Sequence, residues 1–434
     1  MELGGMKRKD RAAGHAQTRA WRPVLEKELC ESAIRIVSSV ARELRKTQVR
    51  NATLALGNSG IALLFAYLPR AQPGHDNKEI AVRFLERAAR GVSANRMSAS
   101  LYSGFTGVAW TTIHLKRLLC IEGEYPTAKI DRALAVYLRS LPWRGQYELI
   151  NGLIGLGVYA LECLPRSTAA TLLERIVDHL DEGAEWNCHG CAWPNRNQFL
   201  SANWGKCHPN GCYDLGMAHG APGIVAMLGR VCGTKEEKLK RTRAKARRLL
   251  DGAVSWLLAQ KSCDSKLSIF PTCVAVTPGP VTGASRLAWC YGDLGIATGL
   301  LIAARSVNES AWEVEAVSLA RHAAKRSFQQ SGVKDTGLCH GAVGVGHLFN
   351  RFYQNTGGKI FRDAARYWFQ QTIKMRRVRW GVAGFPVLGY GRIKGNFWNA
   401  EPGLLYGAAG VALALLSAAT PVEPAWDRTM LASM

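Results

Sequence analysis

The chain has 434 residues, of which 56 are Lys or Arg and 33 are Asp or Glu, so its formal net charge is +23 with histidine neutral. Apolar residues make up 47% and charged residues 21%, which excludes a disordered polyelectrolyte, and 44 glycines without a three-residue period exclude collagen. Residues 1–20 are basic but lack the apolar core and cleavage site of a secretory signal. We therefore expect a soluble, cytoplasmic, globular protein with a disordered basic tail at 1–20.

One short pattern, Gly-x-x-Gly followed by a run of aliphatic and small residues, recurs along the chain. Its seven occurrences begin at Gly57, Gly104, Gly152, Gly220, Gly292, Gly341 and Gly407. Successive spacings are 47, 48, 68, 72, 49 and 66 residues, so the basic unit is near 47 residues and three spacings hold extra loop. A unit of that length accommodates two helices of about 12 residues and two connections.

Amphipathic and uniformly apolar segments alternate along the chain. In chain order they include the amphipathic segment 26–46, the apolar 61–68, the amphipathic 80–91, the apolar 108–115, the amphipathic 316–328 and the apolar 411–419. A helix that is apolar on all sides belongs inside a larger body, whereas an amphipathic helix suits an outer layer. The alternation predicts an all-α fold, a single α/α toroid of seven helical hairpins over residues 21–420, with extra loop at 184–214 and a C-terminal extension at 421–434.

The loops that precede the inner helices meet at one end of such a toroid, so we expect chemistry there. The fourth, fifth and sixth motifs carry titratable or metal-binding side chains in the segments 217–223, 289–295 and 338–344. Cys290, Cys339 and His340 offer two thiolates and an imidazole, a set suited to tetrahedral Zn²⁺ with its fourth position open. The alternative is that each cysteine is a small buried apolar side chain, the usual role of a lone cysteine.

These motifs resemble the signature of the lanthionine synthetase C-like family, the lanthipeptide cyclases: AHGAPG at 218–223, WCYG at 289–292 and CHG at 339–341. Their order and separation agree with the family, and the seven-repeat layout spans residues 25 to 420. The resemblance implies an α/α toroid with a zinc ion at its mouth, bound by Cys290, Cys339 and His340. It also implies a reaction in which a cysteine thiol of a dehydrated precursor peptide adds to dehydroalanine or dehydrobutyrine and closes a thioether ring.

Four further residues are candidates for catalysis. The addition creates an enolate that must take a proton, and His219 is the candidate acid because imidazole titrates near neutral pH. By resemblance, Glu148 takes the place of a family aspartate, one methylene longer, and Arg286 matches a frequent basic position. Tyr291 is a candidate for hydrogen bonding near the metal. The alternatives are a hydrogen-bonded core histidine, a structural arginine and a packing tyrosine.

A second cysteine cluster lies in the extra loop. Cys188 and Cys191 are followed by Cys207 and Cys212, and this spacing is compatible with a structural zinc site. The alternative is a set of loop thiols with no joint role.

The basic excess is concentrated in two runs, 235–248 and 374–394. Each is either a solvated helix face or a docking surface for the acidic leader of a precursor peptide. The expected partners are that peptide and a separate dehydratase, since the chain is too short to hold a dehydratase domain as well. Peripheral membrane association through such a complex is an added expectation. No nucleic-acid-binding module is recognisable, so nucleic acid is not expected.

Three alternatives to ring closure stay open. The same zinc site would also serve an enzyme that adds glutathione or another external thiol to dehydroamino acids. A non-catalytic scaffold that binds modified peptide is a different class. A carbohydrate-active α/α barrel is the weakest alternative, because such enzymes depend on paired carboxylates.

Overall fold

The computed structural model describes residues 20–71, 77–123, 127–200, 202–262, 266–277, 283–390 and 396–434. The predicted tail at 1–20 lies outside these residues except for Ala20. Within them the chain forms 16 α-helices, numbered α1 to α16 in chain order, and six strands of three or four residues. No helix in these ranges is both long enough and apolar enough to cross a membrane.

Seven helices form an inner ring, and each begins directly after the first glycine of a Gly-x-x-Gly motif. They are α2 (Asn58–Ala71), α4 (Phe105–Leu118), α6 (Leu153–Cys163), α9 (Ala221–Cys232), α11 (Asp293–Val307), α14 (Ala342–Thr356) and α16 (Ala408–Ala419). Each contacts the next in this order, and α16 contacts α2, so the ring is closed. Every residue of α16 is buried, which explains why such a segment is apolar on all sides.

Seven amphipathic helices form the outer layer. They are α1 (Lys27–Lys46), α3 (Asn77–Ala94), α5 (Ala128–Tyr137), α7 (Ser167–Gly183), α10 (Lys240–Leu258), α12 (Ser310–Ala323) and α15 (Lys359–Lys374). Six of them pack against the inner helix that precedes them, whereas α1 packs against α16. The two predicted layers are confirmed, and the structure adds that the seventh pair is formed by the first and last helices.

Hydrogen bonds fasten the two ends of the described chain to each other. The amides of Val24 and Leu25 donate to the carbonyl of Ala418 at 2.8 and 3.0 Å. The indole Nε1 of Trp21 donates to the carbonyl of Ser417 at 2.7 Å. The N-terminal segment is therefore part of the closed ring.

A ring of backbone hydrogen bonds joins the loops before the inner helices. The residue two positions before each motif glycine takes part in a bond to the next loop at 2.9–3.4 Å, except that in the third loop Leu149, three positions before Gly152, donates to Ala218. The participants are Ala55, Tyr102, Leu149 with Ile150, Ala218, Cys290, Cys339 and Leu405. The amide of Leu405 donates to the carbonyl of Ala55 and closes the ring. Equivalent positions of neighbouring repeats therefore lie side by side, and we call this end of the toroid the rim.

The motif glycines are required because each loop folds back onto the start of its helix. A Cβ at Gly344 would lie 1.9 Å from the carbonyl oxygen of Leu338, and one at Gly292 would lie 2.0 Å from that of Arg286. Gly292 also has a φ of +95°, in the left-handed region that favours glycine. The motif thus permits a tight turn at the entrance to each inner helix.

The longer spacings between motifs hold the strands of three small antiparallel two-stranded sheets. Strand β1 (Glu185–Asn187) pairs with β2 (Gly190–Ala192), β3 (Cys212–Asp214) with β4 (Cys273–Ala275), and β5 (Val387–Tyr390) with β6 (Asn396–Asn399). The short helix α8 (Ala202–Cys207) lies between β2 and β3, and α13 (Phe328–Ser331) precedes the sixth motif. The predicted extra loop at 184–214 therefore contains β1, β2, α8 and β3.

The segment 421–434 turns back into the centre of the ring as a 3₁₀ turn at Ala425–Met430. The hydroxyl of Tyr102 donates to the carbonyl of Thr429 at 3.1 Å, and the indole of Trp289 donates to that of Met430 at 2.8 Å. Because these donors belong to separate rim loops, the segment lies beneath the rim and fills the interior.

Asp427 anchors this segment to α14. Its buried carboxylate accepts hydrogen bonds from Arg351 at 2.7 and 2.9 Å and lies 2.8 Å from Nε2 of His347. Burial alone would raise the pKa of Asp427, but Arg351 and His347 hold it below its usual value.

We expect Asp427→Asn to lower the free energy of unfolding by about 3–5 kcal/mol, because it leaves the buried guanidinium of Arg351 with only the exposed Glu423 as a counter-charge. Urea unfolding followed by circular dichroism measures the change. The control is Asp363→Asn, whose carboxylate pairs with Arg362 and is 50% exposed, and which should cost less than about 1 kcal/mol. Equal losses in the two variants would contradict the anchoring role.

Candidate functional site

The three candidate metal ligands converge at the rim. Cys290 and Cys339 hold the same position in neighbouring loops, and the amide of Cys290 donates to the carbonyl of Cys339 at 3.2 Å. Their thiols and the imidazole of His340 place donor atoms within 4.8 Å of one another, and in the described ranges no other group of three metal-binding side chains does so. Donors around a tetrahedral zinc ion are about 3.5–3.8 Å apart, so a small adjustment would accommodate it.

The protonation of the two thiols also suits a cation. Hydrogen bonding by Cys339 lowers the pKa of Cys290 well below its usual value despite burial, and the charges of His340 and Arg286 lower it further. The pKa of Cys339 is raised, because its ionisation would place two thiolates side by side in a buried site. A divalent cation between them removes that repulsion. Two thiolates and an imidazole are a donor set that zinc prefers.

Two neighbours hold the ligands in place. The Oδ2 atom of Asp335 lies 3.8 Å from Nε2 of His340, and its Oδ1 accepts the amide of Gly337 at 3.2 Å. A carboxylate behind a metal-binding imidazole fixes the orientation of the ring. Tyr406 forms a side-chain hydrogen bond with Cys339, and its ring centre is 5.7 Å from that of His340.

His219 occupies the loop next to that of Cys290. Its Nδ1 lies 2.8 Å from Oε2 of Glu148, which is buried and also accepts the amides of Ile150 and Asn151 at 3.0 and 2.5 Å. The longer glutamate side chain thus reaches the imidazole. Burial disfavours the imidazolium, but the hydrogen bond and charge of Glu148 outweigh it and raise the pKa of His219 to about 9. His219 is therefore protonated at neutral pH.

A second carboxylate supports Tyr291. The tyrosine hydroxyl donates to Oδ2 of Asp214 at 2.8 Å, and the amide of Gly216 donates to Oδ1 at 2.7 Å. Burial raises the pKa of Asp214 to about 6. The ring centres of Tyr291 and His219 are 6.0 Å apart, so this pair lies beside the proposed acid.

The site residues stand at fixed positions of the repeat. Directly before the motif glycine stand His219, Tyr291, His340 and Tyr406, and six positions before it stand Asp214, Arg286 and Asp335. Sequence analysis missed Asp214, Asp335 and Tyr406. When the seven motifs are aligned on their glycines, all three residues fall at the two positions that carry the other polar site residues.

The cysteines predicted to bind a second zinc are not brought together. Cys188 and Cys207 are exposed, whereas Cys191 and Cys212 are buried in different places. Cys191 packs against α10, and Cys212 forms a hydrogen bond with Cys273 of β4. No three of the four form a metal-binding group in the described ranges. The second zinc is therefore unsupported, because β2 and β3 pair with different strands.

Comparison with known proteins identifies the family. Residues 48–431 match the family model described as lanthionine synthetase C-like protein. The chain belongs to the lanthionine synthetase C-like family.

Two relatives extend this result. The chain is 23% identical over 335 residues to the nisin biosynthesis protein NisC of Lactococcus lactis subsp. lactis. This alignment covers 71% of this chain and 75% of NisC. A solved structure of nisin cyclase matches with a TM-score of 0.72 at 18% identity and covers 94% of this chain and 98% of its own. The structural match confirms the predicted toroid.

We expect the wild-type protein to bind about one zinc ion, and Cys290→Ala and Cys339→Ala to bind none, because each removes a thiolate that carries much of the binding energy. Elemental analysis of the purified proteins measures this, with circular dichroism to verify folding. Cys191→Ala is the matched control, since it removes a buried thiol outside the cluster and should keep the zinc. Full zinc content in both rim variants would contradict the assignment.

Proposed function

We propose that this protein is a zinc-dependent lanthipeptide cyclase. It would join cysteine thiols to dehydroalanine or dehydrobutyrine within one precursor peptide and form lanthionine or methyllanthionine rings. One observation carries the proposal: a cluster of two thiols and an imidazole lies one rim loop away from a protonated, carboxylate-bound histidine. Membership of the lanthionine synthetase C-like family and the likeness to NisC support it.

The thiol cluster would activate the substrate thiol, which is the nucleophile of the reaction. Cys290, Cys339 and His340 would hold the metal, which when bound lowers the pKa of a coordinated thiol so that it ionises at neutral pH. Two protein thiolates balance the charge of a divalent ion and leave the substrate thiolate reactive. Arg286 keeps a positive charge close to Cys290, as the lowered pKa of that thiol indicates.

His219 serves the second half of the reaction. As the substrate sulfur forms a bond to the β-carbon, the electrons of the C=C bond move to the α-carbon and its carbonyl as an enolate. His219 then donates its proton to the α-carbon, and the proton lost by the substrate thiol restores its charge. Glu148 holds the imidazolium in one orientation, and the pair of Asp214 and Tyr291 borders it on the metal side.

The partners follow from this chemistry and from charge. Of the basic run 235–248, Lys245, Arg247 and Arg248 form ion pairs with acidic side chains of the protein itself. In the run 374–394, by contrast, Arg377 and Arg379 are exposed just beyond the C-terminal end of α15, while Arg392 and Lys394 lie outside the described residues. We propose that the acidic leader of the precursor docks there, with an affinity that falls as ionic strength rises.

The cellular setting is part of the same proposal. A separate dehydratase must supply the dehydroamino acids, and we propose that the two enzymes associate because they act on one peptide, with any peripheral contact to the membrane made through that complex. The thiols of both enzyme and substrate must stay reduced, so we place the reaction in the cytoplasm.

Ring closure is expected to consume the substrate's own cysteine. A peptide with one dehydroalanine and one cysteine should lose its alkylatable thiol while its own mass stays unchanged. His219→Asn should slow this ring closure by about 10²-fold or more. Mass spectrometry after thiol alkylation measures both. A peptide with serine in place of cysteine, incubated with glutathione, should form no adduct. An adduct would show external thiol addition instead, and binding without either product would show a scaffold.

The activity should fall as pH rises through about 9, because His219 must carry a proton to act as the acid. Glu148→Gln removes the charge that raises the pKa, so the alkaline limb of the pH–rate profile should move to lower pH. The matched control is Glu182→Gln, which alters the His179–Glu182 pair on α7 and should leave the limb in place. An alkaline limb at the same pH in wild type and Glu148→Gln would exclude His219 as the titrating acid.

A further inference from the structure

A cavity of about 340 Å³ lies at the end of the toroid opposite the rim. It is bordered by the C-terminal ends of α6 and α9 and by the last residues of the segment that fills the ring. Because α9 has 12 residues and a helix rises about 1.5 Å per residue, the two ends of α9 are about 18 Å apart. The cavity is therefore separate from the cluster of Cys290, Cys339 and His340.

Arg230 lines this cavity without a counter-ion. In the described part of the chain it forms no hydrogen bond or ion pair. Burial and the neighbouring charges of Arg428 and Arg351 lower its pKa. Asp427 offsets this in part, but its oxygens are engaged by Arg351 and His347. A half-buried guanidinium among other guanidiniums is costly unless an anion completes the site.

The rest of the charged wall does not neutralise it. Arg428 is half exposed, and its Nη1 lies 3.5 Å from Glu162, a carboxylate that borders the cavity. Glu162 also lies 3.2 Å from Nδ1 of His114 and 3.8 Å from Arg117. Glu162 is thus engaged by other side chains, and in the described part of the chain it forms no ion pair with Arg230.

We propose that this cavity binds a small organic anion whose carboxylate or phosphate group lies between Arg230 and Arg428. Guanidinium groups bind such oxyanions through paired hydrogen bonds. The lining also includes the apolar side chains of Val158, Leu161 and Leu431, which suit a short hydrocarbon part. The ligand is therefore amphipathic, with its charged group toward Arg230 and Arg428.

Titration calorimetry on the full chain at constant ionic strength tests this with hexyl phosphate, hexanoate and inorganic phosphate. We expect saturable binding of at least one hexyl compound, weakened tenfold or more in Arg230→Met and in Arg428→Met. Arg321→Met, an exposed arginine of α12, should bind as wild type does, and so should Cys339→Ala. Circular dichroism verifies each fold, and Arg428, being half exposed, can be replaced with little effect on packing.

Comparison of the three compounds also identifies the anion. Stronger binding of hexyl phosphate or of hexanoate shows which charged group the cavity prefers. Tighter binding of a hexyl compound than of inorganic phosphate shows that the apolar side chains contribute, and both results support the proposal. Equal affinity in wild type, Arg230→Met and Arg428→Met would overturn it. Binding that appears only after removal of Ser433 and Met434 would also overturn it, because the chain's own last residues would then fill the cavity.

Discussion

The ring of backbone hydrogen bonds at the rim is the constraint on which the rest of the structure depends. It joins seven loops through the same position of each repeat, so side chains next to that position meet by construction. Cys290 and Cys339 are near each other because they are linked members of this ring. The glycines that follow allow each chain to turn at once into an inner helix. The candidate site is thus obtained from different side chains at equivalent positions of the repeats rather than from a specialised loop.

Electrostatic support for the site follows the same repeat. Asp214 and Asp335 stand six residues before their motif glycines, and each accepts an amide two residues further along. Each then presents its other oxygen to a rim side chain, Tyr291 in one case and His340 in the other. Glu148 reaches His219 from the preceding repeat. Buried carboxylates beneath the rim therefore orient the polar groups above it.

Sequence reasoning succeeded where the information is periodic. The glycines marked the start of every inner helix, and adjacent motifs placed Cys290, Cys339 and His340 together. It failed for Cys188 to Cys212, because spacing within an insertion does not specify which strands pair. The packing of α1 against α16 was also not predicted, since no sequence pattern within residues 27–46 indicates which helix they contact. Asp214 was overlooked for a different reason: it carries no metal-binding or motif signal until the repeats are compared.

The pairing of α1 with α16 has a consequence for how the protein is made. The loop that carries Cys339 bonds to Leu405, and α16, the last helix of the ring, covers α1, which is synthesised before every other helix of the ring. Contacts between segments so far apart in sequence form late, because closing a long loop costs entropy. The nascent chain must therefore hold an open arc of helices whose first member exposes its apolar face. The thiols of Cys290 and Cys339 face each other in a finished rim only after nearly all of the ring has been synthesised.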